Sequence, residues 1–210
     1  MMREEDAVGA SVYALDFFHR KAVISFRILL DQALATLPKY RVTRYENYFE
    51  KTGANHRNQD GPRLSARTRI TFPDNRFFIP DSIFILFKAP SGQRSLFALE
   101  YVRGNKVART VRQIQKHMTA METGVVTQRY GIAPGQDYVA LFLFEDEGLR
   151  DRVLRDLSNR TMFAPFQKHF LFAAWQDVEH HILGCWRQVG DEGYLYDFIE
   201  GARSFRLPEA

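Results

Sequence analysis

The stretch from Ile79 to Gly104, IPDSIFILFKAPSGQRSLFALEYVRG, decides how the rest of the chain is read. Two extended runs, Arg76–Phe87 (RFFIPDSIFILF) and Ser95–Val102 (SLFALEYV), flank the turn APSGQR at Ala89–Arg94. Two strands joined by so short a turn form an antiparallel hairpin. Side chains alternate across a strand, so Asp81 shares a face with Ile83 and Ile85, and Glu100 shares one with Leu96, Ala98 and Val102. Each acid continues an otherwise apolar face, where an uncompensated carboxylate is costly to bury. Pro80 has no N–H to give a ladder, which places it at a strand start, bulge or edge.

Outward from this hairpin, Asn105–Glu122 predicts a helix with Val107, Val111, Ile114, Met118 and Met121 on one face. Lys106, Arg109, Arg112 and Lys116 fall on the opposite side, with Gln113 and His117 at the flank between them. Tyr138–Phe144, YVALFLF, is too continuously apolar for a half-exposed strand and predicts a central one. Glu147–Asn159 follows as an amphipathic helix and His169–Trp175 as a last strand. Upstream, Asp16–Leu37 predicts a long helix with Phe18, Ala22, Phe26, Leu29, Leu30, Ala33 and Leu37 inward, ended by Pro38. RVTRYENYFE after it suggests a strand and a helical turn, Asn55–Pro62 an exposed loop, and Arg67–Phe72 a strand ending at the FPDN turn. The expected order is α–β–β–β–α–β–α–β: an α/β domain with a mixed central β-sheet flanked by α-helices, one domain over residues 1–210.

Composition narrows the function classes. The 18 Phe and 9 Tyr imply a bulky aromatic core. A single cysteine, Cys185, excludes an internal disulfide and a multi-cysteine zinc site, and favours a reducing cytoplasm. No apolar run reaches the length a membrane helix needs, and MMREEDAVGA has no secretion-signal core. A net charge of +4 hints at a polyanionic partner. There is no glycine-rich phosphate loop and no serine elbow. Glu179 with His180 and His181 reads as a solvated or core group, Cys185 beside Trp186 as a small hydrophobe, and Asp74 as turn chemistry.

Paired hard oxygens such as Asp81 and Glu100 suit Mg²⁺, which takes one or two carboxylates plus water and phosphate. The plainer alternatives are solvated strand ends, or pairing with Arg103. The basic stripe, with Arg103 before it and Arg63, Arg67 and Arg69 as an extension, suits a phosphate backbone. The plain alternative is a surface helix that happens to be positive.

Pro80-Asp81, the hairpin, Leu99-Glu100, Arg103-Gly104 and the basic helix together resemble the PD-(D/E)XK nuclease superfamily. More narrowly they resemble the replication-relaxation family of plasmid-mobilisation and relaxosome-accessory proteins. The likeness runs upstream to the first helix with His19 and Arg27 and downstream to YVALFLF and HFLFAAW, over roughly residues 15–190. It implies a restriction-endonuclease-like sheet and a DNA-binding accessory role in plasmid mobilisation or replication, with DNA and a relaxase or other mobilisation protein as partners. It also implies Asp81 and Glu100 as metal ligands and, with Gln113 and Lys116, as the catalytic set of any Mg²⁺-dependent nuclease. Arg103, Lys106, Arg109, Arg112 and Lys116 become the DNA-binding set. Two departures stand out. Val102 occupies the position of the family's catalytic lysine, so Gln113 or Lys116 would have to replace it and the site reads as degenerate. The family's winged-helix segment is expected upstream, yet this chain begins almost at the core helix. A protein–protein interaction domain that keeps only the fold is the third expectation.

Overall fold

The structure, a computed structural model, describes residues 4–53, 64–133, 136–191, 193–201 and 203–205. The expected loop at Asn55–Pro62 and Arg63 lie outside them. The centre is a five-stranded mixed sheet in sequential order: β1 (Tyr40–Asn47), β2 (Ser82–Lys88), β3 (Gln93–Val102), β4 (Val139–Phe144) and β5 (Phe170–Ala174). β1–β2 and β2–β3 pair antiparallel, while β3–β4 and β4–β5 pair parallel. The hairpin turn between β2 and β3 contains Gly92 at φ +73°, a conformation that glycine adopts without steric cost. The parallel pairs need crossovers. α2 (Val107–Thr123) with α3 (Val125–Tyr130) supplies the first, and α4 (Glu147–Ser158) the second.

Two apolar layers cover the two faces of this sheet. On one, Ile83, Ile85, Leu96, Ala98 and Val102 meet Val111, Ile114 and Met118 of α2 and Leu149 and Val153 of α4. On the other, Phe84, Phe97, Leu99, Leu141 and Leu171 meet Ala22, Val23, Phe26 and Leu30 of α1 (Glu4–Ala35). Trp186 and Phe198, from the segment after α5 (Trp175–His181), complete that second layer. Glu100 turns toward α2, as its parity with Leu96, Ala98 and Val102 requires, whereas Asp81 lies one residue before β2 and its carboxylate meets His19 of α1. β4, covered on both sides, explains its unbroken apolar run.

Several boundaries differ from expectation for physical reasons. RVTRYENYFE is a strand of the main sheet up to Asn47, paired with β2, followed as expected by a turn over Tyr48–Glu50 that the Glu50 N–H closes on the Asn47 carbonyl at 3.1 Å. Arg67–Phe72 is mostly turn, and its only strand residues, Ile70–Thr71, form a two-residue ladder with Phe77–Phe78. Phe18, expected inward, is 49% exposed, whereas Ala22, Phe26 and Leu30 are buried as expected. Among the described residues, no helix is long and apolar enough to cross a membrane.

Candidate functional site: paired acids beneath a basic helix

The register of the hairpin builds the site. Ser82 pairs with Leu99, so one step further the ladder sets Asp81 beside Glu100. β2 starts only at Ser82, and there the Asp81 carboxylate takes over from the ladder. Its Oδ2 accepts the Tyr101 backbone N–H at 2.7 Å. Its carbonyl accepts the Tyr48 N–H, and the Pro80 carbonyl accepts the Thr68 hydroxyl at 2.6 Å. His19 of α1 reaches the other oxygen, with Nε2 2.8 Å from Oδ1. The His19 ring stands edge-on to Tyr48 and Tyr101. Tyr48 in turn donates to Asp16, which also pairs with Arg20. These contacts tie the long helix to the acidic end of the hairpin.

Glu100 lies in a different medium, with no solvent exposure at all. Gln113 of α2 donates from Nε2 to its Oε2 at 2.5 Å. His117, one turn on, places Nε2 2.8 Å from Oε1 and Nδ1 2.8 Å from the Tyr138 hydroxyl. Four residues separate Gln113 and His117, so one helix face carries both onto the carboxyl. Burial, and then the Asp81 charge, push the Glu100 carboxyl well above its ordinary range. Burial pulls His117 down to about 3, so its imidazole is neutral. Burial likewise raises the Tyr138 phenol far above its ordinary value.

One arrangement of protons satisfies every atom of this chain without a buried net charge. A protonated Glu100 donates to His117 Nε2, Nδ1–H donates to Tyr138, and the Tyr138 hydroxyl donates to the His117 carbonyl at 3.3 Å. Gln113 serves the remaining Glu100 oxygen. That chemistry fits Mg²⁺ poorly: the oxygens of Glu100 are already engaged and its proton competes with a cation. Among the described residues, no group of three or more His, Cys, Asp or Glu side chains gathers as a metal site. If Mg²⁺ bound here, Asp81 and Glu100 would be the ligands, and Glu100 would first have to part from His117.

Outside this buried chain, α2 turns its stripe to water. Lys106, Arg109, Arg112 and Lys116 are all exposed, and among the described residues none of their side chains has an ion pair or hydrogen bond. The Lys116 charge still reaches inward and opposes the upward shift of Glu100. α2 begins on Lys106 with no side-chain cap and no acidic residue in its first turn. Gly104, at φ +92°, turns the chain from β3 into the helix. Arg103 is apart from the stripe, bonded to Glu145 at 3.2 Å, so it pairs with neither site acid. Arg67 pairs with Glu50, and Arg69 lies over Phe77.

Of the expected set Asp81, Glu100, Gln113 and Lys116, the structure puts Gln113 onto Glu100 and leaves Lys116 exposed; His117, expected at the flank of α2 with Gln113, is the second side chain on Glu100. Val102 is buried in the apolar layer, where it offers no proton-transfer group. Tyr138 was missed as a member of the buried chain. Its only sequence signal is a polar-tipped aromatic opening an apolar strand. Glu46, also buried, holds the Tyr130 hydroxyl and the Arg44 guanidinium, which accounts for it structurally. Cys185 is buried, its thiol pushed up to about 12, as a small hydrophobe would be. Asp74 accepts the Arg76 N–H in a turn. His180 and His181 are consecutive residues at the end of α5. Compared with protein-family models, with curated proteins and with solved structures, the chain finds no match in any of the three.

Proposed function

We propose that this chain is a DNA-binding protein on a nuclease-like α/β frame, with an acid pair that no longer cleaves. In that reading it acts as an accessory in plasmid mobilisation or replication, the setting the sequence resemblance implies. The observation that carries the DNA-binding reading is the exposed stripe Lys106, Arg109, Arg112 and Lys116, whose side chains have no partner among the described residues. Lys106 and Arg109 sit at the first turn of α2, whose dipole is already positive, and among the described residues none of the four cations has a carboxylate partner, which favours an anion outside the protein. A row of such cations favours a regularly spaced polyanion. The sealed Glu100 carboxyl, held by Gln113 and His117, and the valine at position 102 support a site without hydrolytic chemistry.

Duplex binding measured by anisotropy across a salt series tests this. Four phosphate contacts give a log–log salt slope of about −3 to −4. No binding at low salt leaves the protein-interaction reading in its place.

One observation favours a second reading, a Mg²⁺-dependent endonuclease. Asp81, Glu100 and Gln113 converge, and the Lys116 charge is felt at Glu100, where a substitute for the missing lysine would act. Nicking of supercoiled plasmid with Mg²⁺ or Mn²⁺, lost in Asp81→Asn and Glu100→Gln, would establish it. Intact plasmid with both metals removes it.

A further inference from the structure

α1 is apolar on two sides. Ala22, Val23, Phe26, Leu30 and Leu34 are buried against the sheet. Phe17, Ile24 and Ile28 lie on the far side of the helix and are 63%, 46% and 51% exposed. Exposed apolar side chains scattered singly are ordinary on a protein surface. These are not scattered. Phe17, Lys21, Ile24, Ile28, Asp31 and Ala35 follow one another by steps of four and three residues in turn, and all six are exposed. That is the spacing by which one helix lies along another in a two-helix coil. From Phe17 to Ala35 the line runs about 27 Å.

The two charges on this line select what covers it. Against a second copy of the helix laid parallel, Lys21 would meet Lys21 and Asp31 would meet Asp31. Laid antiparallel and centred at Phe26, Lys21 meets the partner's Asp31, Ile24 meets the partner's Ile28, and Phe17 meets the partner's Ala35. The twofold axis repeats each layer, as an isologous contact requires. Opposite charges, apolar pairs and a large ring over a small side chain then coincide in one register. Sliding either helix by seven residues sets Lys21 or Asp31 against an isoleucine, where an unpaired charge is costly. Both charges can take a new partner. Lys21 has no ion pair or hydrogen bond among the described residues, and Asp31 gives only Oδ2 to Arg27, at 2.6 Å. Near the centre the two copies of Arg27 would approach each other, but that guanidinium is drawn aside, 4.4 Å from the centre of the Tyr45 ring.

We propose that this chain pairs with a second copy of itself through the outer side of α1, the two helices antiparallel. Ile24 and Ile28 form the apolar centre, and Lys21 with Asp31 sets direction and register. α2 covers the opposite face of the sheet, so the contact leaves the basic stripe open and does not rest on the DNA-binding reading.

The test is sedimentation equilibrium of the full chain over about 1–100 µM, the range in which so small a contact forms. The mass is expected to climb from one chain to two across it. Lys21→Asp sets aspartate against aspartate in two layers and should weaken the dimer about tenfold or more, and Asp31→Lys should do the same with lysines. Lys21→Asp combined with Asp31→Lys restores both pairs and should return the affinity to within about threefold of wild type. Ile24→Ser with Ile28→Ser leaves a monomer at every concentration. Thermal melts check that these surface variants remain folded. A single-chain mass throughout the range for the wild type overturns the proposal and leaves the line of residues to a different partner. A dimer indifferent to Lys21→Asp and to the serine pair overturns it too, as does a double exchange that stays as weak as either single change.

Discussion

α2 and α4 lie side by side on the same face of the sheet, each crossing between parallel strands, yet they treat charge in opposite ways. α4 opens as helix physics prefers. Asp146 caps it by accepting the Leu149 N–H at 2.6 Å, and Glu147 adds a negative charge to the first turn. Its one buried cation, Arg150, bonds Asp151 and Asp177. α2 opens on a lysine, with no cap and no acid; its exposed cations, like Arg152 and Arg155 of α4, find no side-chain partner among the described residues, so the two helices differ at their first turns and in what they bury. Inward, where α4 buries a paired charge, α2 buries a neutral chain of Gln113 and His117 on Glu100. Helix formation alone gives no reason to charge α2 this way. On the DNA-binding reading proposed above, that charge serves a ligand.

The largest effect separates the two buried polar residues. His117→Leu keeps most of the volume but strips Glu100 and Tyr138 of a fully buried partner, costing about 3 kcal/mol. Arg150→Met leaves Asp177 and Asp151, which are 33% and 44% exposed, free to regain water, at a cost of about 1 kcal/mol. Urea unfolding compares them. Equal costs would break the distinction between a sealed neutral chain and a rim-solvated ion cluster. Next comes the outer surface. Arg109→Glu with Arg112→Glu should weaken DNA binding by about 2 kcal/mol, roughly thirtyfold, and flatten the salt slope. The matched reversal on α4, Arg152→Glu with Arg155→Glu, should change affinity less than about threefold. If both reversals weaken binding alike, the attraction is a property of net charge rather than of α2.

The buried chain also gives a pH signature. Glu100 has a folded value raised above its ordinary 4.5, so its contribution is intact below that and is lost as pH rises toward the folded value. His117 runs the other way, from an ordinary 6.5 down to about 3, so its contribution is lost as pH falls through that window. Glu100→Gln cannot ionise, and its amide can still accept from Gln113 and donate to neutral His117. The variant should regain about 1 kcal/mol on the alkaline side and keep the acid-side decline. Melting temperatures from pH 4 to 9 follow it. An unchanged alkaline limb would mean that Glu100 is ionised in the folded protein.

What could be read from the residues was whatever repeats along an element. The 3.6-residue spacing of Val107, Val111, Ile114 and Met118 gave α2 its inner face, and strand alternation turned Glu100 toward that helix, while Asp81, one residue before β2, reaches His19 of α1. Gln113 and His117 were legible because a four-residue step on a helix whose apolar face is known has a direction. Tyr138 was not, since its place on His117 depends on β4 running parallel to β3, a long-range pairing with no local mark. His19 was named, but its contact with Asp81 depends on how α1 lies across the sheet. Phe18 misled because an amphipathic pattern does not say where the sheet beneath it stops.

The smallest prediction bears on the comparison most directly, because it asks α2 to become α4. Lys106 sits at the N-cap with φ −98° and ψ 96°, the extended geometry in which an aspartate side chain can accept an N–H of the first turn. Lys106→Asp should therefore stabilise the fold by about 0.5–1 kcal/mol, through the cap and through the helix dipole. If the stripe were ordinary surface charge, that gain would carry no penalty. On the present reading it removes one phosphate contact and sets a carboxylate against the strand, so DNA affinity should fall several-fold while the melting temperature rises. A variant that is more stable and binds as well as the wild type would show that the lysine serves neither end. Stability gained with affinity lost would locate the reason for an uncapped, positively charged helix start in the ligand rather than in the protein.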